Sequence, residues 1–82
     1  MYNYLEERKN IFTEDGQIMF IEIRDNVKKL LNTSGAFKLE KAISNVSGNS
    51  WLMIACVDRL VELGEIKEVK YGECTGQDRI FT

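Results

Sequence analysis

Groups that could move a proton near neutral pH are scarce in this chain. None of its 82 residues is histidine, so the usual general base is missing. There is no glycine-rich phosphate loop and no carboxylate pair in a pocket-forming context. Asp58 and Glu62 stand four apart on one helix face with Arg59 between them, a spacing typical of solvated surfaces that serves solubility and local pairing. The cysteines, Cys56 and Cys74, lack a CxxC spacing and read as two unrelated thiols of a reduced compartment. Zinc would need two further ligands, and without histidine these would be carboxylates, an uncommon structural set. The expectation is therefore a non-enzymatic protein with no catalytic residue, no metal and no cofactor.

What remains is binding chemistry, and composition bounds it. A chain that is 44% hydrophobic and 29% charged fits one small soluble domain. At this size only roughly 60% of the unfolded surface is buried, so association would add stability and a homodimer is expected. The formal net charge of −2 gives no global attraction to nucleic acid, and any such contact must come from local patches. The longest apolar run, residues 51–57, is far short of the ~20 needed to span a bilayer. No signal pattern opens the chain, and a cytoplasmic location with no membrane partner is expected.

The elements that must carry the binding residues centre on residues 50–81. Ile54, Val57, Leu60, Val61 and Gly64 recur at three- and four-residue steps and predict a helix over 50–64 with that face inward. Leu63-Gly64-Glu65-Ile66 stops it at a glycine suited to a left-handed C-terminal position. Residues 66–71 then alternate like a strand, 72–77 read as a turn, and 79–81 return. Upstream, residues 1–13 show no sustained period and read as an N-terminal arm ahead of a domain over 14–82; the arm either frays or packs through Tyr2 and Tyr4. Glu14-Asp15-Gly16-Gln17 can be a hairpin turn or a helix start capped by Thr13 or Asp15. The stripe Phe20, Ile23, Val27, Leu30, Leu31 favours a helix over 14–31.

On that helix Ile18 and Ile21 fall off the main stripe, beside Glu22 and Asp25, and call for cover by the arm or a second subunit. Asn32-Thr33-Ser34-Gly35 ends it, and Ala36-Phe37 is a short extended connector. Leu39, Ala42, Ile43 and Val46 predict a short helix over 38–45, and Asn49 or Ser47 can cap the next one. Two helices joined through a glycine-containing turn make a helix-turn-helix unit. The predicted core joins Leu39, Ile43, Val46, Ile54, Val57, Leu60 and Ile66 to Phe20, Val27 and Leu31.

This order of helix, connector, helix, turn, helix and hairpin resembles the winged-helix family of helix-turn-helix domains: mostly α, three helices plus a small C-terminal β-hairpin wing. The match runs over residues 14–81 and is most specific at Ile54, Val57, Leu60 and Leu63-Gly64-Glu65-Ile66. The resemblance implies that residues 50–64 enter a major groove of double-stranded DNA while the hairpin lies on phosphates, as in dimeric transcription regulators. Lys38, Lys41, Lys67, Lys70 and Arg79 are then the phosphate contacts, and Asn49, Ser50 and Arg59 the residues at the head and outer face of the reading helix. That outer face, however, holds Trp51, Leu52, Ala55, Asp58, Arg59 and Glu62, with a single cation and two acids, a poor set for reading bases. Glu68, Glu73 and Asp78 also offset the hairpin cations one for one. The alternative is a protein-interaction winged helix without DNA binding, with Trp51 and Leu52, together with Ile18 and Ile21, as its interface.

Overall fold

The computed structural model of the chain describes residues 1–70 and 78–82. The elements run α1 (Tyr4–Ile11), α2 (Glu14–Ser34), β1 (Phe37–Lys38), α3 (Leu39–Ile43), α4 (Ser50–Glu62), β2 (Glu68–Val69) and β3 (Ile80–Phe81). The molecule is mostly helical with a small three-stranded antiparallel sheet. Among the described residues there are four helices rather than the three expected. The extra one is the supposed arm: Asn3 caps it by accepting from the Leu5 and Glu6 N–H groups, and Ile11 at its end is buried.

The α1–α2 junction settles the choice between hairpin and helix at residues 14–17. Thr13 Oγ1 donates to the Asn10 carbonyl at 2.8 Å and accepts from the Gly16 N–H at 3.0 Å, so one hydroxyl closes the end of α1 and opens α2. Gln17 Nε2 reaches back to the Ile11 carbonyl at 2.7 Å. A Cβ on Gly16 would stand 2.0 Å from the Asn10 carbonyl oxygen, so only glycine lets the two helices meet this closely. α2 then runs three residues past the expected end, to Ser34, and stops at Gly35, whose left-handed φ of 75° puts its N–H on the Leu31 carbonyl.

α4 begins under Asn49, which accepts from the N–H groups of Trp51 and Leu52. It ends in a Schellman motif: Gly64 N–H bonds the Val61 carbonyl and Glu65 N–H the Leu60 carbonyl, with Gly64 at φ 76°. That exit returns Ile66 to the core, as expected. The connector after α2 is more than extended chain, because β1 pairs with β3 in register Phe37↔Phe81 and β3 pairs with β2 in register Val69↔Ile80. The stacked rings of Phe37 and Phe81, 5.5 Å apart, seal the sheet against the helices. Tyr71 and the turn expected over 72–77 lie outside the described residues, as does Cys74.

α1, α2 and α3 all pack on α4, and this corrects the phase assigned to that helix. Its fully inward residues are Met53, Ala55, Cys56, Val57 and Leu60, while Ile54 and Val61 are half-buried and Gly64 is exposed. Ala55 was expected to face out and is fully buried, because the unforeseen α1 covers that side. Of the rest of the expected core, Val27, Leu39, Ile43 and Ile66 are buried, and Phe20, Leu31 and Val46 pack half-buried against it.

Candidate functional site

One face of α4 looks outward between α1 and the sheet. Trp51, Ile54, Asp58 and Val61 follow one another on it at steps of three and four residues. Trp51 is 43% exposed at its head. Asp58 sits in the middle of this otherwise apolar face and accepts a hydrogen bond on each of its two oxygens. Tyr2 donates its hydroxyl to Asp58 Oδ2 at 2.6 Å, and Arg79 reaches Oδ1 at 2.7 Å. Arg79 also forms a forked pair with Glu68, at 3.0 and 2.9 Å, and lies over the Phe81 ring. Such bidentate pairing fixes a guanidinium more firmly than a single contact. It holds the Glu68 carboxyl below the usual range and raises Arg79 further, while burial first and the Asp58 bond second push Tyr2 up.

A second cluster lies one turn further on. Glu62 accepts from Tyr4 at 2.6 Å, from Arg8 at 2.9 Å and from Arg59 at 2.8 Å. These three bonds, Tyr4's the largest contributor, draw its carboxyl down to about 2. Burial, then the Glu62 bond, pushes Tyr4 up to about 12. The guanidiniums of Arg8 and Arg59 each lie 5.2 Å from the centre of the Phe12 ring. The two carboxylates that looked like an unexceptional surface pattern are thus the sites by which α1 is tied down.

Four of the cations singled out from the sequence stand against carboxylates of the same chain. Arg59 is committed to Glu62 and Phe12, and Arg79 to Asp58 and Glu68. Lys70 stands 3.3 Å from Glu68, and Lys38 3.9 Å from Asp78. Lys67 is exposed, its backbone exchanging both hydrogen bonds with Thr82 to lengthen the β2–β3 ladder. Lys38 and Lys41 line a groove of about 430 Å³ floored by Leu30, Phe37 and Ile80, on the α2–α3 side of the molecule. Asn49 spends its side-chain oxygen on the cap of α4, and Ser50 is exposed beside it.

Among the apolar candidates, Ile18 and Ile21 are exposed, and Ile18 shares a groove with Leu52 between α2 and the α3–α4 turn. Trp51 belongs to the other face. Tyr2, Tyr4 and Arg8 were not foreseen as partners of α4, since their bonds span 54 to 58 positions in sequence. The expectation that the arm packs through Tyr2 and Tyr4 left the helix they meet unnamed, and the matching i, i+4 spacings of Tyr4/Arg8 and Asp58/Glu62 are the signal that could have named it. Cys56 is buried, and burial pushes its thiol up to about 12, far from a reactive thiolate. Among the described residues no helix is long and apolar enough to cross a membrane. No family model, curated protein or solved structure matches the chain.

Proposed function

We propose that the chain is a winged-helix-type binding module that engages a protein through the outward face of α4. The winged-helix assignment draws support from the order of the elements: a strand before α3, a helix-turn-helix over α3 and α4, then two strands, the second of which pairs with both the first of the two and β1. The protein-binding reading is carried by one observation. Arg59 and Arg79, the two arginines that would face a duplex, are held by carboxylates of the same chain, while Trp51 and Ile54 occupy the position of the reading surface. A partly exposed tryptophan in line with aliphatic side chains, the one acid among them bonded within the chain by Tyr2 and Arg79, has the make-up of a protein hot spot.

Double-stranded DNA is the second reading, favoured by the exposed amines of Lys38 and Lys41 on the α2–α3 side and of Lys67 and Lys70 on either side of β2. Fluorescence anisotropy with labelled duplexes, from low to physiological salt, separates the two. The protein reading expects no salt-sensitive duplex binding, and capture of a partner that Trp51→Ala abolishes. Strong duplex binding that weakens steeply with salt, and by about one unit less of slope for each lysine neutralised, would assign the surface to DNA instead.

A further inference from the structure

The outer face of α2 is left open and changes charge along its length. Glu14, Ile18, Ile21, Asp25, Lys28 and Asn32 follow one another at alternating steps of four and three, all of them exposed. That is the spacing of a helix–helix seam. Ile18 and Ile21, at 62% and 57% exposure, are its apolar part. The acids Glu14, Asp15, Glu22 and Asp25 lie in the first half of the helix and Lys28 and Lys29 in the second. Two grooves lie in line along one flank and repeat the division. The first, about 450 Å³, is lined by Asp15, Ile18, Met19, Glu22 and Leu52. The second, about 290 Å³, is lined by Lys29, Leu30 and Lys41 with no carboxylate.

We propose that this face binds a second copy of the chain, α2 against α2 in antiparallel order about a two-fold axis near the middle of the helix. A surface whose charge reverses halfway along is complementary to itself only in that orientation. Each acidic half then meets a basic half, twice over, and the two helix dipoles also oppose favourably. A parallel arrangement would set acid on acid and lysine on lysine. The isoleucines supply the apolar contact, and the ion pairs set direction. The dimer leaves both α4 faces open and does not depend on what they bind.

Sedimentation equilibrium of the full chain from 1 to roughly 100 µM tests the proposal, with circular dichroism to check that each variant is folded, as substitutions at exposed sites should be. A dimer is expected whose dissociation constant rises with salt. Ile18→Glu with Ile21→Glu should weaken it at least tenfold. Lys28→Glu with Lys29→Glu, and separately Asp15→Lys with Glu22→Lys, should each give monomers that form a heterodimer when mixed. A wild-type chain that stays monomeric overturns the proposal, as does a dimer indifferent to the isoleucine changes. A dimer strengthened by salt would reject the antiparallel order.

Discussion

At the scale of single residues, the most informative group is Glu62, whose carboxyl is drawn down to about 2 from 4.5 by the Tyr4, Arg8 and Arg59 bonds. A carboxylate with a depressed folded pKa adds stability that is complete above its unfolded value and is lost as pH falls through the folded one. Thermal melts should therefore show stability falling from about pH 4.5 towards pH 2, and Glu62→Gln should flatten that limb. Because the side chain is 38% exposed, solvent screening keeps the effect modest. An unchanged acid limb in the variant would mean the three bonds carry no net preference for the charged form. Tyr4 works in the other direction. Raised to about 12 from 10, it favours the neutral hydroxyl in the fold, so its share of stability is present below pH 10 and is lost through pH 12. The sequence displayed these residues without their roles. Asp58 and Glu62 were legible as a helix-face pair and Arg59 as their neighbour, but a hydroxyl arriving from the far end of the chain leaves no local signature.

At the scale of elements, what could be read was whatever local chemistry dictates. The cap of α4, the Gly35 stop and the Gly64 exit into Ile66 are side-chain and backbone requirements confined to a few neighbouring residues: the exit stands where the sequence places it, Asn49 rather than Ser47 is the cap, and Gly35 stops α2 after 32–34 have joined the helix. The short α1 escaped because it has eight residues and buries only Ile11 fully. It has no continuous apolar stripe to betray it, being held instead by tertiary bonds and by its tight junction with α2. The same omission misplaced Ala55, since helix phase was inferred from one buried stripe and α4 is enclosed on more than one side. The junction itself can be tested at Gly16. Alanine suits a helix interior better than glycine by about 1 kcal/mol, so the propensity argument alone expects stabilisation. The Asn10 and Ile11 carbonyl oxygens, 2.0 and 2.7 Å from the added carbon, are backbone atoms that cannot swing away. Gly16→Ala is accordingly expected to lose about 1–3 kcal/mol in urea denaturation. A neutral or stabilised variant would show that α1 can shift outward freely.

At the scale of the whole molecule, Asp58 is where the two ends of the chain meet. Tyr2 lies near one terminus and Arg79 near the other, and both bond the same carboxylate from opposite sides of α4. In a domain this small, whose stability margin is narrow, such a junction is expected to make α1, α4 and the sheet unfold together rather than piecemeal. Removing one donor leaves Asp58 with the other. Tyr2→Phe is then expected to cost about 0.5–1.5 kcal/mol, the net worth of one hydrogen bond. Arg79→Met also strips Glu68 of its forked partner and should cost more, about 1–3 kcal/mol. Removing both strands a half-buried carboxylate without a donor, so the double variant should lose more than the sum of the singles by at least about 0.5 kcal/mol. Urea unfolding followed by Trp51 fluorescence measures all four corners of the cycle. Costs that simply add would mean that α1 and the sheet are not coupled through Asp58, and that the first helix can open while the rest of the fold stays closed.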